Sequence, residues 1–448
     1  MNAIAQLSQL LDAADFDDRP LARGGTVAAI HPNVIVAEGM GSYAQLGDFV
    51  SLGMDATPPR GEVVQIEPDR VLIAPCENGH ALSINDTVIH RGPTLTSPDE
   101  RWLGRVVNAL GEPVDGRGPL AAAPQYGKRR QRRPAMMRAR IDEPFRTGVR
   151  VIDIFTPLCI GQRFGIFAGS GVGKSTLLAM LARADVFDVV VVSLVGERTR
   201  EVREFLEDTL GAEGMKKAIA VVATSDESPT MRRRAPSCAM EVAEWFRDRG
   251  KRVLLLLDSV TRYAHALREV AISVGEPPVS RGYPASVFTD LPRLLERAGP
   301  GGAGCGSITA IVTVLVDGDD HNDPVSDTLR GILDGHLVLQ RSIANRGRYP
   351  AVDPLASVSR LAERVWTDQQ RQLVSQIRAM ISLYEETRDL RMMSGWQPGV
   401  DGDLDQAVIA VPKIYDALTQ RTASPPNADP FAELAESLKN DQANARTA

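Results

Sequence analysis

Residues 163–182 read RFGIFAGSGVGKSTLLAMLA, and the fold is decided by how this stretch divides. FGIF, at 164–167, has the apolar character of a buried strand. A glycine-rich turn follows, and STLLAMLARA then reads as a helix. Strand, glycine-rich turn ending in Lys-Ser, and helix together form the context that a phosphate-binding P-loop requires. Gly169, Ser170, Gly171, Val172, Gly173, Lys174, Ser175 and Thr176 make up the cradle. Its glycines let backbone N–H groups curl around phosphates, the helix N-terminus adds positive dipole, and Lys174 reaches the β and γ oxygens. The expected ligand is ATP with Mg²⁺, and Ser175 is the expected metal-holding hydroxyl. Ala168 stands where the first glycine of the pattern usually sits, a small residue that brings no bulk near the phosphates.

Around this turn, between about Gly148 and Arg360, apolar runs alternate with helix-like stretches. The runs are VVVVSLVG at 189–196, AIAVVAT at 218–224, VLLLLD at 253–258 and SITAIVTVLV at 307–316. Runs this rich in Val, Ile and Leu predict a parallel sheet covered on both faces. Asp258 ends one such strand, where a carboxylate can hold Mg²⁺ at the C-terminal edge of the sheet. Hydrolysis also needs a group that polarises the attacking water. GERTRE at 196–201 offers two carboxylates, Glu197 and Glu201. Spacing alone does not rank them, since either could pair with Arg198 or Arg200 on a solvated surface.

Further out, Ile4, Leu7, Leu10 and Leu11 recur at helical spacing, so residues 1–20 are expected to carry an amphipathic helix that seeks a partner or packs back on its own domain. From 21 to 92, short β-rich runs broken by Gly, Pro and Asp (TVAAI, NVIVAEGM, GDFVSLGM, GEVVQIE, DRVLIAPC) predict a small β-barrel. Residues 93–365 hold the α/β core, including a Pro- and Ala-rich span whose KRRQRR run reads as an exposed loop. From 366 to 448 the chain turns helical (WTDQQRQLVSQIRAMISLYEETRDLRMM, LDQAVIAVPKIYDALTQ). A linker, ASPPNADP, precedes a last short helix, FAELAESLK.

Composition narrows the function classes. The chain has 448 residues, 43% of them hydrophobic, and a net charge of −6, which disfavours nucleic-acid binding as a general activity. Four cysteines, Cys76, Cys159, Cys238 and Cys305, lie far apart without metal-ligand spacing, which suits core thiols in a reducing cytoplasm. No stretch approaches the roughly 18 apolar residues of a membrane span.

Several long stretches resemble the catalytic subunits of the rotary ATPase superfamily, and most closely the bacterial type III export ATPases that serve flagella and injectisomes. They include WLGRVVNALGEPVDGRGPL, RTGVRVIDIFTPLCIGQRFGIFAGSGVGKST, VGERTREVREFLED, VVATSDESPTMRR, VLVDGDDHNDPVSDTLRGILDGHLVL and RYPAVDPLASVSR. The stretch LLDSVTRYAHALREVAISVGEPPVSRGYPASVFTDLPRLLERAGPG points to the export branch in particular. The likeness spans nearly the whole chain. It implies a RecA-like P-loop core with an N-terminal β-barrel and a C-terminal helical domain. It also implies roles that spacing left open. Glu197 matches the water-polarising glutamate, and Arg198 and Arg262 match arginines facing the γ-phosphate. Arg360 matches an arginine finger that reaches a neighbouring subunit's site, and Tyr349 a tyrosine that stacks on adenine.

The same resemblance implies a homohexamer around a central stalk protein, at the cytoplasmic face of the inner membrane. A dimeric negative regulator is expected on the N-terminal helix, with chaperone–substrate complexes and an export gate facing the C-terminal domain. An ion-translocating synthase subunit is disfavoured by GEPP and LPRLLERAGPG, and a noncatalytic nucleotide-binding subunit by the presence of Glu197. A hexameric RNA helicase is disfavoured by the acidic balance and the absence of interleaved aromatics. Of the two export branches, the wording of the core and the DPFAELAESLK tail favours the flagellar one over the virulence injectisome.

Overall fold

The computed structural model describes residues 23–55, 57–78, 81–93, 96–120, 135–316, 323–393, 395–421 and 429–444. The expected N-terminal helix, the KRRQRR run and most of the ASPPNADP linker lie outside the described residues. The chain forms two compact units that divide after residue 94.

The first unit is a closed six-stranded barrel in the order β1-β2-β5-β4-β3-β6. Its strands are β1 (Gly24–His31), β2 (Val34–Glu38), β3 (Asp48–Leu52), β4 (Arg60–Ile66), β5 (Arg70–Pro75) and β6 (Thr87–Pro93). Val27, Ile35, Val50, Leu52, Val63, Val71, Ile73 and Val88 fill its interior. The five β-rich runs of the sequence correspond to β1–β5. The sixth strand, TVIHRGP, closes the barrel by pairing with both β1 and β3.

The second unit is built on a nine-stranded sheet ordered β19-β18-β10-β17-β13-β11-β12-β7, with β16 attached to β17. The strands are β7 (Val106–Asn108), β10 (Arg163–Ala168), β11 (Val189–Val195), β12 (Ala218–Ala223), β13 (Arg252–Asp258), β16 (Gly299–Pro300), β17 (Ser307–Leu315), β18 (Gly335–Leu339) and β19 (Val358–Ser359). Two small ribbons, β8 (Pro144–Phe145) with β9 (Leu158–Cys159) and β14 (Pro278–Ser280) with β15 (Tyr283–Pro284), stand beside it. From β18 through β7 the pairings are parallel, while β16 and β19 join antiparallel. Every residue of β11 and β12 is buried, as expected for strands with helices on both faces.

Local chemistry explains the flanking helices. Ser228 caps helix Pro229–Arg247, with Pro229 in its first turn, and Ser259 caps helix Val260–Ser273. Thr367 and Gln370 form a reciprocal capping box at the start of helix Asp368–Glu386. That helix buries Val374, Ile377 and Ile381, while helix Gly402–Leu418 buries Leu404, Ala407, Val411 and Ile414. Both stripes follow the helical period, and apart from Leu404 their side chains continue the apolar core of the sheet. Two polar anchors reinforce the junction. Trp366 Nε1 donates to the Ile154 carbonyl at 3.1 Å, and Arg378 Nη2 to the Phe155 carbonyl at 3.0 Å. The helical reading of 366–393 is interrupted at Thr387, after which a short helix, Arg388–Met392, begins.

All four cysteines are free, three of them buried and Cys305 half-buried. Burial pushes the Cys159 thiol up to about 11 and Cys238 up to about 12, so neither is a thiolate at neutral pH. Among the described residues, no helix is long and apolar enough to cross a membrane.

Candidate functional site

The parallel strands β10, β11 and β13 all end at one edge of the sheet, and the residues after them converge there. After β10, Gly173 adopts φ +90° as the residue preceding helix Lys174–Ala182. A side chain at that φ would be strained, so glycine permits the turn. Ser175 and Thr176 face solvent in the first turn of that helix.

Lys174 stands at the centre. Its Nζ forms an ion pair with Asp258 at the end of β13, and lies 3.5 Å from Glu197 Oε1 just beyond β11. Asp258 is buried and accepts the Thr313 hydroxyl at 2.7 Å from neighbouring β17. Arg262 completes the group. Its Nη1 donates to the Gly196 carbonyl at 2.6 Å, and its Nη2 lies 3.4 Å from Glu197 Oε2. Gly196 has φ +66°, and a Cβ there would sit 2.9 Å from Arg262 Cδ, so the glycine lets the guanidinium approach.

Burial separates the two glutamates that spacing left equal. Glu197 is 8% exposed beside two cations, whereas Glu201 lies exposed and pairs with Arg198 at 3.6 Å. Burial pushes the Glu197 carboxyl above its ordinary range, reinforced by Asp258 and opposed by Lys174 and Arg262. A carboxylate with a raised pKa is a better proton acceptor.

Tyr349 lies on the other side of the turn. Its ring edge is 3.4 Å from where a Cβ of Gly173 would stand, and the ring is 43% exposed. Arg341 Nη2 donates to the Ser170 carbonyl at 3.2 Å, fixing that flank of the turn.

Two expected residues are not brought into this cluster. The Arg198 side chain is 80% exposed. Arg360 follows β19, where its backbone N–H donates to the Asp334 carbonyl at 2.9 Å and its Nη2 to the Arg330 carbonyl at 2.9 Å. Asp334 is bonded to Arg163, the first residue of β10. Arg360 therefore sits at the opposite end of the sheet from its own P-loop. Six residues of strand at about 3.3 Å each put roughly 20 Å between them.

The donor set suits a nucleotide with a hard divalent ion. Ser175 offers a hydroxyl and Asp258 a buried carboxylate, the oxygen ligands that Mg²⁺ prefers. Among the described residues no group of three or more His, Cys, Asp or Glu side chains could hold a metal by itself, so phosphate oxygens would have to complete the shell. Arg262 Nε is buried without a hydrogen-bond partner, an unspent donor beside Glu197. Three supporting residues carried no sequence signal: Thr313 behind Asp258, Gln162 beneath β19, and Gln420 behind Tyr349.

Residues 148–359 match the model of the ATP synthase alpha/beta family nucleotide-binding domain, and residues 366–440 that of the T3SS EscN ATPase C-terminal domain. The chain is 55% identical over 444 residues to a flagellum-specific ATP synthase of Agrobacterium fabrum, covering 99% of this chain and 94% of that one. It is 44% identical over 383 residues to a type 3 secretion system ATPase of Xanthomonas euvesicatoria, covering 85% and 86%. Among solved structures, it is similar to the assembled ATPase EscN in complex with its central stalk EscO from the type III secretion system of enteropathogenic E. coli. That match has a TM-score of 0.82 at 36% identity, over 92% of this chain and 100% of that one.

Proposed function

The chain belongs to the ATP synthase alpha/beta family and, within it, to the ATP-hydrolysing export ATPases of type III secretion; from that premise we propose that it energises flagellar protein export as a ring of six copies. One observation carries the ring. The Lys174–Glu197–Asp258 cluster and Arg360 lie at opposite ends of the same sheet, so Arg360 can serve a site only by reaching the next copy. The assembled and stalk-bound forms of the related EscN support both the ring and a central stalk partner here. The flagellar branch is favoured by 55% identity to a flagellar relative against 44% to a secretion-system relative.

In this reading the glycine-rich turn 169–173 and Lys174 hold the phosphates, and Tyr349 stacks on adenine. Ser175 and Asp258 hold Mg²⁺, which supplies positive charge against the phosphate oxygens. Glu197 orients a water and draws off its proton as the water oxygen bonds to the γ-phosphorus. The bond from that phosphorus to the β–γ bridging oxygen breaks, leaving ADP and phosphate. Charge spreads over the γ oxygens on the way, and Lys174, Arg262 and the neighbour's Arg360 stabilise it more in the transition state than in the ground state. Arg198, whose side chain is exposed in this structure, is assigned to the same γ-phosphate by the family resemblance. An arginine finger is worth about 10³ to 10⁵ in rate, so hydrolysis and assembly are coupled. The same family logic assigns a dimeric regulator to residues 1–20, and chaperone–substrate complexes and the export gate to the C-terminal helices. We propose in addition that the protein works in the cytoplasm, docked on the inner membrane.

The test is ATPase rate per subunit against protein concentration, with mass followed by light scattering. A cooperative rise in rate as the ring appears is the expected result, with Lys174→Ala silent throughout. Turnover by an isolated monomer at the ring's rate would refute the shared site. Deleting the gene in its own host should remove flagellar filaments. Intact filaments with lost effector secretion would move the chain to the injectisome branch.

A further inference from the structure

Gln162 is fully buried at the foot of β10, and its carboxamide is almost fully bonded. Its Oε1 accepts the Cys159 backbone N–H at 2.9 Å. Its Nε2 donates to the Asp334 carbonyl at 3.1 Å and to Ser359 Oγ at 3.3 Å. That carbonyl also accepts the backbone N–H of Arg360 at 2.9 Å. Ser359 Oγ in turn donates to the Pro157 carbonyl at 2.9 Å. One buried side chain thus grips both the residue before Arg360 and the carbonyl on which the Arg360 backbone hangs.

Strand β19 needs such a grip. It is two residues long and, among the described residues, pairs with Gly335 and His336 of β18 alone. A buried amide is costly unless its hydrogen bonds are made, and an apolar residue would fill this position without that demand. Three bonds to three separate segments make Gln162 a rivet rather than filler.

We propose that Gln162 is a positioning residue for Arg360, fixing the backbone from which the guanidinium reaches the neighbouring copy's γ-phosphate. This rests on the intersubunit role of Arg360 argued above. Gln162 lies at the far end of β10 from its own P-loop, about 20 Å away on strand geometry, so its loss acts on the neighbour's site and not on its own.

The test uses full-length Gln162→Leu and Ser359→Ala, the second removing the hydroxyl that Gln162 holds while leaving the core filled. Misplacement of a catalytic group by about 1 Å can cost on the order of 10²-fold. Gln162→Leu should accordingly lower kcat by about that factor, and Ser359→Ala by less. KM and the Kd for a fluorescent ATP analogue should stay near wild type. Each variant is then mixed with Glu197→Gln, co-assembly being shown by mass, beside a control mixture of Arg360→Ala with Glu197→Gln. Rescue in all three mixtures is the expected result, because the Glu197→Gln copy lends its intact finger to a site with an intact glutamate. Rescue in the control alone would mean that Gln162 supports its own P-loop, and the inference falls. No rescue in the control would overturn the intersubunit role of Arg360 and this inference with it. If Gln162→Leu does not fold, Ser359→Ala decides; unchanged kcat in that variant also overturns the proposal.

Discussion

Thr313, in the middle of the sheet and without exposure to water, donates its hydroxyl to Asp258 Oδ1 at 2.7 Å. The bond fixes which way the buried carboxylate faces and leaves its other oxygen for a metal. Thr313→Val keeps the shape and removes the donor. Loss of a residue that orients a metal ligand typically costs about 10- to 100-fold in metal affinity. The half-saturating Mg²⁺ concentration for hydrolysis should rise by that order, with about 1 kcal/mol of stability lost. An unchanged Mg²⁺ titration would remove Asp258 from the metal site.

Glu197→Gln should lower turnover by about 10²- to 10⁴-fold, the range for a general base, while ATP-analogue binding persists. The same variant has a pH signature. Burial raises the folded-state pKa of Glu197 above its unfolded value, so the native state holds this proton more tightly than the unfolded chain does. The stability it contributes is complete below the unfolded value near 4.3 and is lost as pH rises through the raised folded value. The wild-type minus Glu197→Gln difference in Tm should therefore fall with rising pH across that window. A flat difference profile would show that Glu197 is not perturbed.

Parts of this molecule were legible in the chain for a physical reason, and parts were not. Strands β11, β12, β13 and β17 are buried on both faces, so the continuous runs VVVVSLV, AIAVVA, VLLLLD and SITAIVTVL announced them. Strand β6 was missed because TVIHRGP hides its pattern. His90 and Arg91 are polar, and are held by Asp48 at 2.7 Å and Ser51 at 2.8 Å on the adjacent strand β3. Lys174 and Asp258 are readable from local context, whereas spacing leaves Glu197 and Glu201 equal: the family resemblance picks Glu197, and burial sets the two apart in the structure. Gln162 and Gln420 give no signal because, Cys159 apart, their side-chain partners are remote in sequence. Ser359 lies 197 residues from Gln162, and Gly148 lies 272 from Gln420. A periodicity window spans neither distance.

Gln420 ties the C-terminal helices to Tyr349, beside the glycine-rich turn. Its backbone N–H donates to the Tyr349 carbonyl at 2.8 Å, its Oε1 accepts from the Arg150 N–H at 2.7 Å, and its Nε2 donates to the Gly148 carbonyl at 3.0 Å. Gln420→Ala leaves a backbone donor and an acceptor unpaired in a nearly dry site, at a cost of about 1–3 kcal/mol. The backbone bond to the Tyr349 carbonyl survives the change, but residue 420 loses the two side-chain bonds that hold it in place behind Tyr349. KM for ATP should rise several-fold and kcat change less, a split measured by steady-state kinetics beside a Tm. A fall in kcat at constant KM would place the effect on catalysis and not on nucleotide binding.

The last expectation concerns acid stability, and follows from the turn after β7. Asp115 accepts from Arg105 Nε at 2.6 Å and Nη2 at 2.9 Å, and from the backbone N–H groups of Val106 at 3.1 Å and Arg117 at 3.0 Å. The Arg105 guanidinium holds the Asp115 carboxyl well below the usual range, helped by those two N–H groups and opposed by burial. The bidentate pair is mostly shielded, with 13% and 9% of the side chains exposed, so solvent screening weakens it less than a surface pair. A depressed folded-state pKa contributes stability above the unfolded value near 3.9, and that stability is lost as pH falls toward the folded value. Asp115→Asn keeps the shape but abolishes the ionisation. It should destabilise the protein by about 2–3 kcal/mol at neutral pH, in the range for losing charge-assisted bonds, and the penalty should shrink below pH 4. Denaturant unfolding of both forms at pH 7 and at successively lower pH measures the convergence. A penalty that stays constant into acid would mean that the turn is held by shape and backbone bonds, and that the charge on Asp115 contributes nothing.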